Sequence, residues 1–282
     1  MRIERYVDGG AFLRRSESWL LESEPENNLI LGIARRSRDR RLIVEGAEYW
    51  ATVLDGEKLV GAVFRTPPFP PSVSRMPPGA MPLVIGDIAD VYAELPGVVG
   101  PRDVARAFAE GWCDRYGGPW RIKFRTRIHV LKSVEAIGDV PAGALRRMDK
   151  SDEALILEWM RGFARDAGIT IPAENFVLPL LEERKFFLWE DAGPRSIVAA
   201  GRDTPRGACI SAVYTPPAYR RKGYATASVS ALSQMLLSSG KTFCCLYTDL
   251  DNPTSNSIYR RIGYVPVRDD MEIEFKGTVG LR

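Results

Sequence analysis

"YTPPAYRRKGYATASVSALSQ", residues 214–234, places two prolines, three consecutive basic residues and a glycine directly ahead of an apolar periodic segment. Pro216 and Pro217 stiffen the chain and withhold donors, so a strand ending near Thr215 cannot continue through them. Ala225, Val229, Leu232 and Leu236 then fall on one helical face that buries against a sheet, which predicts a helix over about 223–237. The first N–H groups of such a helix lack internal acceptors, and its dipole adds partial positive charge there. Gly223 lets the backbone come close to a ligand and reach positive φ. Arg220, Arg221 and Lys222 are badly placed at a helix N-terminus unless an anion sits among them, so this mouth is a candidate diphosphate site. The alternative is a solvated basic turn. Neither G-x-x-x-x-G-K-[ST] nor G-x-G-x-x-G occurs in the segment, so it is not one of the usual nucleotide-binding loops.

A second informative stretch is "DLDNPTSNSIYRRIGY", residues 249–264. Asn252 followed by Pro253 reads as an N-cap and first helical residue, and Gly263 as the stop of a short helix. Ile258 and Ile262 lie one turn apart and face the core, whereas Asn256 and Tyr259, three apart, can address one ligand together. Capping alone explains Asn252, and an amphipathic core position would explain Tyr259. Asn256 in mid-helix is harder to account for structurally, because asparagine is a modest helix former.

Around these stretches the pattern is that of an α/β chain. In the second half "RKFFLWE", "RSIVAAG" and "RGACISAVYT" read as antiparallel strands, followed by the 223–237 helix, the strand "TFCCLYTD", the short helix and a closing strand near "DMEIEF". A helix between two apolar strands implies a right-handed crossover and local parallel pairing, hence a mixed central sheet with helices on both faces. "SDEALILEWMRGFARDAG" predicts an amphipathic helix closed by Gly168. The first half repeats this order more faintly, with the helix "AFLRRSESWLLES", the strand pair "EYWATVLDG" and "KLVGAVFRTPP", the helix "PRDVARAFAEGW" and the strand "WRIKFRTRIHVL". "GAVFRTPP" resembles "SAVYTPP" and hints at duplication, although the first copy lacks a basic glycine-rich turn after its prolines. "VEAIGDVPAGA", residues 134–144, is the linker candidate, which divides the chain into domains of about 1–135 and 142–282.

The chain's 282 residues are 45% apolar and 27% charged, a balance that implies a folded globular protein and not a disordered one. A formal charge of +3 gives no general case for nucleic-acid binding. The basic positions Arg121, Lys123, Arg125, Arg127 and His129 alternate along one strand face, and either an anion or salt-bridge partners would account for them. "MRIERYVDGGAFLRRSESWLL" lacks the pattern of a secretory leader, and no run of about 18 apolar residues occurs, so a membrane location is not expected. Cys113, Cys209, Cys244 and Cys245 have no zinc-like spacing; they suit core packing in a reducing cytoplasm, and no metal is expected.

Together, in order and at this spacing, the two informative stretches resemble the acetyl-coenzyme A binding core of the GNAT superfamily of N-acetyltransferases. Arg220, Gly223 and Ala225 match the family's Arg/Gln-x-x-Gly-x-Gly/Ala motif, and Asn252, Ser255, Asn256 and Tyr259 match its later Asn-x-x-Ser/Ala-Asn-x-x-Tyr pattern. The resemblance covers about residues 142–276, with the first half a degenerate copy that has no recognisable pyrophosphate loop. It implies acetyl-CoA as acyl donor, bound in the second half only, and a GNAT-like fold that is duplicated in tandem. It places the pantetheine arm on a strand edge around Ile210–Tyr214, near Asn252 and Asn256. The pyrophosphate falls on the backbone of Arg221, Lys222, Gly223, Tyr224, Ala225 and Thr226. It further implies direct attack by a primary amine of a small molecule or peptide, with a backbone N–H near Val213 stabilising the oxyanion. Tyr259 would protonate the departing thiolate, helped if its pKa is lowered by the site. No general base is identified; Glu190 and Asp191 could serve, but a strand-end turn uses acidic residues equally often. His129 alternates with apolar neighbours and is assigned to a polar strand face. The rival readings are a nonenzymatic acyl-CoA-binding or regulatory module and, on the basic strand alone, a nucleic-acid binder.

Overall fold

Local chemistry sets most of the element ends. In the computed structural model, which describes residues 1–41, 44, 46–169 and 173–276, the chain divides into two compact units. The first comprises Met1–Ile128, Asp249–Asp251 and Val267–Arg282, and the second His129–Thr248 and Asn252–Pro266.

The first unit begins with β1 (Arg2–Tyr6), α1 (Gly9–Leu21) and α2 (Asn28–Arg38). Asp8 caps α1 by accepting from the Ala11 N–H at 2.7 Å, the local interaction that favours Asp at an N-cap. The hairpin of β2 (Tyr49–Asp55) and β3 (Lys58–Arg65) turns at Gly56, φ 58°. There follow β4 (Ser72–Val73), α3 (Met81–Ala89), β5 (Gly97–Pro101), α4 (Arg102–Tyr116) and β6 (Trp120–Leu131). Core side chains from both sides of this sheet include Trp50 stacked on Phe64, centroids 5.0 Å apart, and Trp112 parallel to Phe275.

The second unit continues with β7 (Ala144–Arg147), α5 (Glu153–Asp166), α6 (Ala173–Glu182), β8 (Phe186–Glu190), β9 (Pro194–Asp203) and β10 (Gly207–Tyr214). Then come α7 (Tyr224–Ser238), β11 (Phe243–Asp249), α8 (Pro253–Ile262) and β12 (Val265–Phe275). The strand order is β11-β10-β9-β8-β7. The crossover through α7 leaves β10 and β11 parallel, whereas β7, β8, β9 and β10 each run antiparallel to the next. Val229 and Leu232 of α7 and Ile262 of α8 are fully buried in one cluster with Ile210 and Cys244. Cys245 faces the other side of the sheet with Cys209 and Phe243, and all four cysteines are free thiols.

Several expectations are resolved by this topology. The closing strand is longer than "DMEIEF" and serves the first unit: β12 pairs antiparallel with β5, Asp270 opposite Pro101 through Glu274 opposite Gly97. Three of the basic residues of β6 are neutralised against β12 within that unit, whereas Arg125 is not. Arg121 bonds Glu274 at 2.9 Å, Lys123 bonds Glu272 at 2.8 Å and Arg127 bonds Asp269 at 2.5 Å. That cross-strand ladder is the salt-bridge alternative, and it leaves little of the strand's charge for a nucleic acid. The likeness of "GAVFRTPP" to "SAVYTPP" does not mark corresponding strands: the first lies on β3, which leads antiparallel into β4, and the second on β10, which leads into α7. His129, two residues beyond Arg127 on β6, is buried, at 7% exposed. Among the described residues no helix is long and apolar enough to cross a membrane.

Candidate active site

The site is built where β10 and β11 part. Their parallel ladder runs from Gly207 opposite Phe243 to Cys209 opposite Cys245, while the strands themselves continue to Tyr214 and Asp249. On its other edge β10 pairs Ser211 with Ala199 and Tyr214 with Ile197, one residue more on β10 than on β9. Ala212, at φ 52°, is a non-glycine residue in left-handed conformation inside that irregular stretch. A bulge of this kind takes a residue out of the ladder and re-aims its neighbours, and such strain is held where the surrounding structure over-determines it. Val213, the expected oxyanion donor, is the next residue and is partly exposed. No sequence signal marks Ala212, because alanine has no preference for positive φ.

The loop after β10 is pinned from several sides. Ser196, fully buried on β9, donates to the Tyr214 carbonyl at 3.1 Å and accepts from the Thr215 hydroxyl at 2.9 Å. Gly162 on α5 makes room for Tyr214: a Cβ there would lie 2.5 Å from the tyrosine oxygen. The guanidinium of Arg220 stacks 5.7 Å from the Tyr214 ring, donates to the Thr215 carbonyl at 2.9 Å and pairs with Asp166 at the end of α5. Arg220 therefore shapes the loop with its side chain, and Asp166 is a partner that no motif reveals. This ion pair is about half exposed, so it is worth at most about 1 kcal/mol. Asp166→Asn is expected to weaken anion binding at this loop no more than about fivefold by titration calorimetry, with the melting temperature unchanged.

Arg221, at φ 60°, and Gly223, at φ 82°, curl the chain so that α7 starts at Tyr224. Gly223 is the N-cap and no side chain caps the helix. The first intrahelical acceptor in use is the Gly223 carbonyl, which takes the Ala227 N–H at 3.0 Å. Successive residues of alternating hand followed by an uncapped helix form a concave set of N–H groups suited to an anion. Arg221 and Lys222 are exposed, and neither makes an ion pair among the described residues. Tyr224 turns its ring into the core beside Trp189 and Ala227, and its hydroxyl donates to Asp191 at 2.6 Å. Tyr224 and the 8% exposed Thr226 can therefore meet an anion only through backbone.

Asn252 caps α8 as its spacing predicts, its Oδ1 accepting from the Ser255 N–H at 3.2 Å. Asn256 is partly exposed, and its Nδ2 donates to the Asn252 carbonyl at 2.9 Å. That bond supplies the structural account the sequence lacked. Tyr259, 7% exposed, packs edge-on against Tyr264 with centroids 6.0 Å apart. Burial pushes its hydroxyl pKa up to about 12, opposite to the lowering that would ease proton donation. The carboxylates considered as bases are occupied: Glu190 pairs with Arg146, which also holds Asp152, and Asp191 accepts from Tyr224. Among the described residues no three His, Cys, Asp or Glu side chains are grouped to hold a metal.

Comparison with known proteins bears on the fold. The family described as FR47-like protein matches residues 193–271, the span from β9 through most of β12. No curated protein matches the chain. Among solved structures, a Drosophila protein superposes with a TM-score of 0.69 at 13% identity, covering 97% of this chain and 98% of its own. An acetyltransferase of the GNAT family from Colwellia psychrerythraea gives 0.54 at 12% identity, covering 98% and 100%. A tandem GNAT protein from the clavulanic acid biosynthesis pathway gives 0.55 at 12% identity, with 100% of both chains covered. The chain has the GNAT fold, and the full-length match to a tandem protein supports duplication. This bears out the fold that the resemblance implies.

Proposed function

We propose, from the GNAT fold and the site described above, that the second unit is an N-acetyltransferase centre. It moves an acetyl group from acetyl-CoA to a primary amine of a small molecule or peptide by direct attack. The observation that carries this reading is the parting of parallel strands β10 and β11 beyond Cys209, with the uncapped head of α7 following β10 after the loop 215–223. A split between parallel strands next to a helix N-terminus offers strand-edge donors for an amide-containing arm and an N–H cradle for a diphosphate.

The residues present fit that ligand. Backbone N–H groups from Arg221 to Thr226 would hold the pyrophosphate, with Arg221 and Lys222 adding charge from the rim. Arg220 holds the loop in shape through Asp166 and Thr215. Asn252 and Asn256 would border the pantetheine arm. Acetyl-CoA supplies an activated acyl thioester. The N–H of Val213, beside the bulge, would meet the negative charge that develops on the carbonyl oxygen. Tyr259 would donate its hydroxyl proton toward the leaving sulfur. With a pKa of about 12 against ~8.5 for a thiol, full transfer is uphill by roughly 5 kcal/mol, so the donation must accompany bond breaking. Once bonded to the acyl carbon, the attacking nitrogen would shed its surplus proton to water, since Glu190 and Asp191 are engaged elsewhere.

The packing of Tyr259 favours a second reading, a module that binds acyl-CoA without turning it over. Titration calorimetry of the full chain with acetyl-CoA, followed by thiol-release assays over a panel of primary amines, separates the two. Binding near one equivalent with amine-dependent thiol release supports the transferase. Binding without release against any amine supports the module, and no binding to the folded protein overturns both.

A further inference from the structure

We propose that the first unit carries a separate binding site for a small phosphorylated organic molecule, in the cavity at the head of α4. The cavity has a volume of about 420 Å³, within the range of small-molecule sites. Arg102, Arg106 and Arg125 lie around it, and Ile122, Leu250 and Met271 give it an apolar lining.

Its charge is not balanced by its own carboxylates. Asp269 is taken by Arg127 through two bonds of 2.5 and 2.9 Å, and Asp270 by Arg268 through bonds of 2.6 and 2.8 Å. Arg125 only approaches the exposed Asp251, at 3.9 Å. Arg106 lies 6.0 Å over the Trp120 ring, and Arg102 makes no ion pair among the described residues. Asp103 is the one further carboxylate of the lining. Three guanidinium groups thus face one unneutralised acid and a distant second. They stand at a helix head whose N-cap, Pro101, has no side-chain hydrogen bond to offer, where the dipole already disfavours cations. A multiply charged anion satisfies both the forked donors and the helix head, whereas a single carboxylate leaves most of the donors unused.

The chemistry at this place also differs from that of the second unit. Counted from their N-caps, α8 carries Asn252, Asn256 and Tyr259 where α4 carries Pro101, Ala105 and Phe108. Ala105 and Phe108 are fully buried. The first unit therefore lacks the amides and the hydroxyl assigned to thioester chemistry, and arginines border the open volume instead. Its ligand is bound and not acylated, and the apolar lining calls for an organic body on the phosphate.

The test is titration calorimetry of the full chain with phenyl phosphate, with inorganic phosphate and benzoate as comparison arms. Saturable one-to-one binding of phenyl phosphate, tighter than either comparison anion, is expected. The double variant Arg102→Gln/Arg106→Gln should weaken it by at least about tenfold, in keeping with the loss of charge-assisted bonds. Both arginines are exposed, so the variant should melt with the parent. Gly223→Val should leave this binding unchanged, which separates it from the proposed cofactor loop. Absence of saturable binding, equal affinity in the double variant, loss in Gly223→Val, or benzoate binding as tightly as phenyl phosphate would each overturn the proposal.

Discussion

Gly223→Val is expected to raise the dissociation constant for acetyl-CoA by tenfold or more while the protein remains folded. The residue sits at φ 82°, where an L side chain costs about 1–2 kcal/mol and a β-branched one more. Inside the protein the space is tolerant, since a Cβ would meet only Pro141, at 3.4 Å. The cost therefore comes from the backbone conformation and from the side chain standing where the diphosphate must approach the α7 N–H groups. Each 1.4 kcal/mol lost is tenfold in affinity. Gly223→Asn separates the contributions: asparagine tolerates the left-handed region, so it should relieve strain yet keep a bulky group at the cradle, and bind between the parent and the valine variant. Parent-like affinity in a folded Gly223→Val protein would remove the pyrophosphate from this loop.

Tyr259→Phe is expected to lower kcat for acetyl transfer by about 100-fold or more with acetyl-CoA affinity retained, the range general acids supply. The aromatic packing against Tyr264 survives the change, so the melting temperature should move little. Because burial raises the tyrosine pKa to about 12, the hydroxyl stays protonated through the working range. The rate of the parent should rise with pH as the amine acceptor deprotonates, with no alkaline fall near pH ~10 where a free tyrosine would ionise. The same shift has a stability signature. Between about pH 10 and 12 the unfolded chain loses this proton while the folded one keeps it, so stability declines as pH rises there. Tyr259→Phe should flatten that decline. Equal single-turnover rates for parent and variant would assign Tyr259 to packing alone.

Much of the site was legible because its chemistry is local. Pro216 and Pro217 end a strand, Gly223 opens α7 at positive φ, and Asn252–Pro253 and Gly263 bracket α8 within about a residue of their expected places. The Cys244–Cys245 step across the sheet likewise follows from strand alternation alone. Helix α3 escaped the periodicity reading because "MPLVIGDIA" is apolar on almost every side, and an apolar run without a polar face has no period to detect.

What the sequence by itself determined about this protein is the identity of its informative residues and the kinds of element that carry them, since capping, turn chemistry and apolar period act within a few residues. Tertiary structure alone decided their partners. It sent β12 to pair with β5 in the first unit and set its acids against the basic face of β6. It gave Arg220 to Asp166 and Glu190 to Arg146, and it twisted Ala212 into a bulge. It also buried Tyr259 deeply enough to raise its pKa, where a lowered one would have eased proton donation. Each of these depends on groups brought together from distant parts of the chain, where Coulomb energy and desolvation are set by distance and burial, quantities that residue order does not contain.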